Sequence, residues 1–493
     1  MTETVRPAAP LHIAAALEAL WPGSVVPQLA ESARLVLDSR DIASGDVFVA
    51  VPGTRVDGRD YIDRARARGA ALILAEAPCD DGAEVLVLDA LGARLGELAS
   101  RAFDVPDTLE QIAVTGTNGK TSVSHYVAAL SEALGTPCGL IGTLGSGRPG
   151  ALGSAGLTTP DAISLQAGLR SLSDGGAQRV ALEASSHALD QHRLSGCRVR
   201  AAIFTNLTQD HLDYHASMAA YAAAKARLFQ RPELAVAVVN ADDPLARLML
   251  AGVKEGVCVL RVGDGEDNDF RVLAWHGSVE GLTARIATPE GERELSPGLL
   301  GRFNLDNVLL AIAALYGLGA PLAPLLSAAA ALEAVPGRMQ RLVAEGAPAV
   351  VVDYAHTPDA LGKALMALSE HVAGRLWCLF GCGGERDSGK RALMGELAAL
   401  MADRVVVSDD NPRGESAAAI RAAIMAGSGR PAHVEEIAGR RAAIEYVVAH
   451  ADPDDVILIA GKGHENYQEI DGVRHPFSDV DAAWQAIRER SRG

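Results

Sequence analysis

The loop Thr115–Ser122, TGTNGKTS, is where the sequence most plainly offers chemistry. It follows the β-branched run QIAVT and opens a helical stretch, a setting in which backbone N–H groups at a helix N-terminus can gather round a phosphate. Gly116, Thr117, Asn118 and Gly119 leave room for that approach, and Lys120 adds charge for the terminal phosphates. Thr121 and Ser122 bring hydroxyls, and that of Thr121 suits Mg²⁺. The spacing is unusual for a phosphate loop, because Gly116 stands three residues before Gly119 rather than five.

Three more side chains stand where chemistry could use them. Glu183 ends the run RVALE, so its carboxylate would reach the mouth of a sheet as a hard oxygen ligand for Mg²⁺; alone, it equally fits a solvated strand-end carboxylate. His211, in QDHLDYH after AAIFTNLT, is an imidazole on a polar loop and a candidate ligand for a second metal, whereas His215 reads as a structural or capping residue. In YAAAKARLF, Tyr221, Lys225, Leu228 and Phe229 recur at i, i+4, i+7 and i+8, so Lys225 points with the apolar side chains. That spacing also fits a lysine snorkelling from an amphipathic helix.

The elements that must hold these residues alternate. From Gln111 the chain repeats a β-branched run, a polar or Gly-rich loop and a helical pattern, which predicts a parallel sheet with helices on both faces and ligands beyond the strands' C-terminal ends. Before about Asp104, the alternating DVFVAVPG and the runs AALILA and VLVLDA predict a small α/β module. After Pro336-Gly337 the pattern restarts with PAVVVDYAH, RLWCLFGCGG, DRVVVSDDNP and DDVILIAGKG, each an apolar strand emptying into a polar loop. The expectation is therefore an α/β protein of three domains. Residues 1–105 form a small N-terminal α/β domain, and 106–336 a central P-loop-type domain with a mostly parallel sheet. Residues 337–493 form a C-terminal Rossmann-like α/β domain. The stretch from Val257 to Ser296 reads as a peripheral antiparallel insertion of the central domain.

Composition sets limits on function. A formal net charge of -17 over 493 residues opposes a nucleic-acid-binding surface, which needs clustered Lys and Arg. Six cysteines scattered without a CxxC suggest neither a disulfide framework nor a zinc site, and reduced cytosolic thiols are the plain reading. The first residues lack a basic start followed by an apolar core, and no run of 18 apolar residues occurs, so a cytoplasmic chain without membrane insertion is expected.

Taken in order, TGTNGKT, EASSHAL, NLTQDHLDYH, YAAAKARLF, NADD, GRFNLDN, PGRMQR, DYAHTPDAL, FGCGGERDSGKR, DNPR and GKGHE make the chain similar to the Mur ligases almost end to end. The resemblance implies an ATP- and Mg²⁺-dependent ligase that forms an amide bond through an acyl phosphate. DNPR points to the branch that adds meso-diaminopimelate to UDP-N-acetylmuramoyl-L-alanyl-D-glutamate in peptidoglycan synthesis. It further implies that Leu37, Ser39, Thr54, Arg55 and Val56 meet the UDP-sugar, and that Thr158, Thr159, Ser185, Gln191 and Arg193 hold the muramoyl peptide. ATP would lie on Gly116 to Ser122 with Asn304, Arg338 and Asp353, and metal on Thr121, Glu183, His211 and a carbamylated Lys225. Lys120, Glu183, His211 and Lys225 would be the catalytic set. Diaminopimelate would meet Arg386, Asp410, Asn411, Pro412, Arg413, Gly461 and Glu465. Small-molecule partners and a monomer are expected. Two rivals remain: a folylpolyglutamate-synthase-like ligase, which should lack the LDSR region and DNPR, and an inactive scaffold, which should have lost some of the four catalytic residues.

Overall fold

The computed structural model describes residues 11–490 apart from Arg55, Asp80, Asp81, Ala83, Glu84, Ser154, Ala155, Arg430 and Ala432. The chain divides into two compact units, Met1–Phe270 with Leu309–Leu325, and Arg271–Val308 with Leu326–Gly493.

The first unit holds two sheets. Leu35–Val36, Val47–Ala50, Leu72–Glu76 and Val85–Leu88 pair in sequential order, all parallel. Val47–Ala50 alternates in no useful sense, because all four side chains are buried, as expected of a parallel strand covered on both faces. The second sheet runs Cys258–Val262, Val236–Asn240, Val199–Phe204, Glu110–Thr115, Arg179–Glu183, Cys138–Gly142, Gly145–Arg148, Ala151–Leu152. Its first six strands are parallel and its last two form an antiparallel edge. Apolar residues such as Val180, Leu182, Ala202, Phe204 and Phe229 pack into its core. Because Glu110–Thr115 pairs with both Arg179–Glu183 and Val199–Phe204, the phosphate loop, Glu183 and the segment leading to His211 leave the sheet at one edge.

The segment from Val257 to Ser296 departs from expectation. Cys258–Val262, reached through the helix Ala246–Leu250, continues the large sheet as a parallel edge strand, the geometry a helical crossover permits. Only Arg271–Ser278, Gly281–Thr288 and Gly291–Leu295, joined by short turns at Gly281 and Gly291, are antiparallel, and they belong to the second unit. Buried His371 helps tie them there, donating from Nδ1 to the Ser278 carbonyl (2.7 Å) while Nε2 accepts from Gly301 N–H (2.9 Å).

The second unit's main sheet runs Gln340–Leu342, Ala349–Asp353, Val456–Ala460, Leu376–Phe380, Arg404–Val407, Val434–Glu436, with only the first strand antiparallel. Its polar loops therefore follow Asp353, Phe380, Val407 and Ala460 along one edge. Among the described residues no helix is long and apolar enough to cross a membrane.

Candidate active site

The phosphate loop is shaped by glycine and stitched to the next strand. Gly116 has φ of 149°, and a Cβ there would stand 1.9 Å from the Thr205 hydroxyl, so no other residue fits without displacement. Thr205 donates to the Asn118 carbonyl (2.5 Å) and the Asn206 side chain accepts from Asn118 N–H (3.0 Å). Gly119, at φ of 84°, starts the helix Lys120–Ala133. The Lys120 ammonium curls over the loop, donating to the carbonyls of Gly116 (3.0 Å) and Thr117 (2.8 Å).

Glu183 is 1% exposed, which removes the reading of a solvated strand-end carboxylate. It accepts from the Thr121 hydroxyl (3.1 Å), Thr143 N–H (2.8 Å) and the Thr143 hydroxyl (3.0 Å). A Cβ on Gly142 would meet its carboxylate oxygen at 2.2 Å. From Glu183 a continuous run of hydrogen bonds leads outward. Thr143 touches Thr158 (3.1 Å), and the Thr159 hydroxyl donates to the Glu183 carbonyl (2.6 Å) and accepts from Ser185 N–H (3.0 Å). Arg193 donates to the Thr159 carbonyl (2.8 Å) and to the Gln191 amide oxygen (2.6 Å). The structure thus gathers Thr158, Thr159, Ser185, Gln191 and Arg193 beside the phosphate loop. Thr143, which follows the strand Cys138–Gly142, carries no mark in the sequence beyond that position.

Lys225 is 1% exposed, so it does not snorkel. Its Nζ donates to the Gly116 carbonyl (2.7 Å) and lies 4.5 Å from the centre of the Tyr221 ring. Burial, and then the like charge of Lys120, hold its ammonium well below lysine's usual range. Nearby, His187, His211, His215, Tyr214 and Tyr221 form a ring cluster, with His187 and His211 centred 4.8 Å apart. His211 sits at a left-handed φ of 53° and remains partly open, whereas buried His215 bonds to the Ser186 hydroxyl (2.9 Å). Among the described residues no three His, Cys, Asp or Glu side chains converge as a metal cage. The Thr121 and Glu183 oxygens nevertheless suit Mg²⁺, which takes one or two protein ligands and completes its shell with water and phosphate oxygens.

Leu37 and Ser39 follow the strand Leu35–Val36, and Thr54 and Val56 follow its parallel neighbour Val47–Ala50, so both loops leave one edge of the N-terminal sheet. Ser39 is buried, Leu37 packs on the core, and Thr54 and Val56 are exposed. Arg55 lies outside the described residues.

In the second unit, buried Asn304 donates to the Leu300 carbonyl (2.8 Å), and the Arg338 guanidinium lies 4.5 Å over the Tyr354 ring. Asp353 accepts from Met339 N–H (2.7 Å) and Ala355 N–H (2.8 Å); burial raises its carboxyl while the Arg338 charge pulls the other way. The loops after Val407 and Ala460 lock together. Lys462, fully buried, donates to Asn411 Oδ1 (3.1 Å) and the Glu465 carboxylate (3.0 Å), and the Asn411 amide also donates to Glu465 (2.8 Å). Gly461 leaves a gap that a Cβ would close against Asp410 at 2.6 Å. Arg413 donates to the Gly384 carbonyl (2.6 Å), joining Pro412's loop to the one that carries exposed Arg386. Lys462 was not singled out from sequence; its signal is the Gly-Lys-Gly that ends the strand Val456–Ala460.

Three family descriptions match the chain: the Mur ligase family catalytic domain over residues 33–100, the Mur ligase middle domain over 114–315, and the Mur ligase glutamate ligase domain over 337–463. The UDP-N-acetylmuramoyl-L-alanyl-D-glutamate--2,6-diaminopimelate ligase of Pseudomonas aeruginosa is 50% identical over 92% of this chain and 94% of its own length. The chain belongs to the Mur ligase family. A ligase of the same name from Xanthomonas oryzae pv. oryzae is 45% identical to this Mur ligase over 97% of the chain and 98% of its own length. A solved structure of a ligase of that name shares 38% identity at a TM-score of 0.75, covering 96% of this chain and 99% of its own. A Mycobacterium tuberculosis folylpolyglutamate synthase shares the fold alone, at 23% identity and a TM-score of 0.61 over 81% of this chain and 93% of its own.

Proposed function

We propose that this Mur ligase joins meso-diaminopimelate to the D-glutamyl side-chain carboxylate of UDP-N-acetylmuramoyl-L-alanyl-D-glutamate, using ATP, in the cytoplasm and as a monomer. The glutamyl carboxylate attacks the γ-phosphate, giving an acyl phosphate and ADP. The diaminopimelate amine then attacks the acyl carbon, an amide bond forms, and phosphate leaves. No protein nucleophile is needed, so the chain contributes position and charge.

The N–H groups and Lys120 of the phosphate loop hold the terminal phosphates and draw off developing negative charge. Thr158, Thr159, Ser185, Gln191 and Arg193 hold the muramoyl peptide, and Leu37, Ser39, Thr54, Arg55 and Val56 the UDP-sugar. Gly116 to Ser122, with Asn304, Arg338 and Asp353, bind ATP. Thr121 and Glu183 would hold Mg²⁺, and His211 with Lys225 a second ion. Bound there, the metal supplies positive charge against the transferring phosphoryl oxygens. Lys225 fits that role only after its neutral amine bonds to the carbon of CO₂ and releases a proton, leaving a carbamate anion; burial favours the neutral amine that this needs. Arg413 and Arg386 meet diaminopimelate's carboxylates and Glu465 its distal ammonium, with Asp410, Asn411, Pro412 and Gly461 shaping the pocket.

The observation that carries this reading is the cluster of Asn411, Lys462 and Glu465 beside Arg413, which sets an anion and a cation among loops on one sheet edge and suits a second amino-acid head group. The test is ADP release from ATP with each substrate omitted in turn. Release should require both the UDP-dipeptide and diaminopimelate. Release that glutamate supports as well as diaminopimelate would overturn the proposal in favour of a folylpolyglutamate-synthase-like activity.

A further inference from the structure

Arg413 cannot hold its own backbone cheaply. Its φ of 53° lies in the left-handed region that a residue with a Cβ enters only when its surroundings impose it. What surrounds it is one hairpin, Tyr467–Ile470 paired antiparallel with Val473–Pro476. Arg413 N–H donates to the Glu469 carbonyl (3.0 Å) and the Arg413 carbonyl accepts from Asp471 N–H (2.7 Å), so both of its backbone groups are taken. Arg413 and Ile470 stand in register as a parallel bridge. The hairpin also holds the two residues at the start of the loop. Gln468 donates its amide to the Asp410 carbonyl (2.6 Å), and Glu469 N–H donates to Asn411 Oδ1 (2.9 Å). On the other side, Gly384 N–H donates to the Asn411 carbonyl (2.9 Å), and the Arg413 guanidinium reaches back to the Gly384 carbonyl.

The hairpin's own register comes from its turn. Asp471 at φ of 50° and Gly472 at φ of 74° are the two positive-φ residues of a two-residue Asp-Gly turn, the connection whose twist matches paired strands. A change in that turn shifts Glu469 and Asp471, the two residues whose backbones fix Arg413, and so changes the direction in which the guanidinium leaves the loop.

We infer that the Tyr467–Pro476 hairpin is a specificity-determining element of this ligase: it imposes the left-handed conformation of Arg413 and thereby sets which amino acid the DNPR loop accepts. The inference rests on the reading that Arg413 meets a carboxylate of diaminopimelate. Its residues are positioning residues, and none is required to touch substrate.

Gly472 gives a clean test, because it is exposed and a Cβ there would meet nothing within 4 Å. Only backbone conformation opposes a substitution. Gly472→Asn tolerates positive φ and should behave as the natural enzyme, whereas β-branched Gly472→Val should raise the KM for diaminopimelate about 5- to 10-fold. The preference for diaminopimelate over lysine should fall by the same factor, with the KM values for ATP and the UDP-dipeptide unchanged. Gln468→Met, which removes only the donor to Asp410, should shift the same constant in the same direction by less. A KM for diaminopimelate unmoved in Gly472→Val, or all three KM values rising together with a falling Tm, overturns the inference. Arg413→Ala separates the two readings: if it leaves diaminopimelate selectivity intact, the role of Arg413 fails first. If it destroys selectivity while Gly472→Val does not, the hairpin alone fails.

Discussion

Two lysines of this ligase are almost wholly buried, and they are buried differently. Lys462, 0% exposed, meets a carboxylate: its ammonium bonds to Glu465 and to the Asn411 amide oxygen. Lys225, 1% exposed, meets the Gly116 carbonyl, which Lys120 also uses, and the face of Tyr221. A buried ammonium with an anion beside it works as a structural cation, whereas one left against carbonyls and a like charge is driven toward the neutral amine. The first arrangement positions a loop. The second leaves the amine that the proposed carbamylation of Lys225 requires. Burial alone therefore says little about a lysine's work; the nearest carboxylate decides it.

The sharpest way to break this contrast is to remove each ammonium while keeping its stem. Lys225→Met should cost at least about 1,000-fold in kcat, as expected when a charge aimed at the transition state is lost, and should leave Tm equal or higher. Lys462→Met should do the reverse in stability. It strands Glu465 without its cation and should cost about 2 to 3 kcal/mol in urea unfolding, less than a fully buried pair because Glu465 keeps some exposure. If both variants lost activity without losing stability, or both lost stability, the distinction would collapse. Next in size, Arg413→Ala should reduce selectivity for diaminopimelate over lysine by about 10- to 150-fold, the worth of one charge-assisted contact of about 1.5 to 3 kcal/mol. Steady-state KM values for the two amino acids measure it.

The smallest effect is the pH dependence of stability in CO₂-free buffer. The folded-state pKa of Lys225 is lowered, so between that value and the unfolded value of about 10.4 the unfolded chain binds more protons, and stability rises with pH. Below the folded value the deficit is constant; above the unfolded value it vanishes. The Tm difference between Lys225→Met and the natural enzyme should therefore shrink as pH rises through this window. A difference independent of pH would mean that Lys225 keeps its proton in the fold.

Much of this was readable in the residues. Each apolar run that empties into a polar loop became a parallel strand, whereas the helical spacing of Tyr221, Lys225, Leu228 and Phe229 fitted a buried and a snorkelling Lys225 alike, and it is the packing that buries it. The glycines of TGTNGKTS were read as room for a phosphate, whereas the contact that requires glycine at Gly116 is the Thr205 hydroxyl, a partner far along the chain. What stayed hidden depends on partners far apart in the chain. Lys462 lies in a Gly-Lys-Gly loop with no periodicity to betray it, and the asparagine that fixes it is 51 residues away. Thr143 becomes a donor to Glu183 only because two strands pair. The antiparallel strands after Phe270 were recognisable as hairpins from their turns, but which unit they join is decided by tertiary contacts such as those of His371.

The choice of amino acid is the claim on which most of the account depends, and one competition reaction tests it directly. The enzyme is given ATP, UDP-N-acetylmuramoyl-L-alanyl-D-glutamate and equal amounts of meso-diaminopimelate and lysine, and the tripeptide products are weighed by mass spectrometry. The account predicts that the diaminopimelyl product dominates, with one ADP and one phosphate released for each amide bond formed. Equal amounts of the two tripeptides, or ADP released without either, would contradict it.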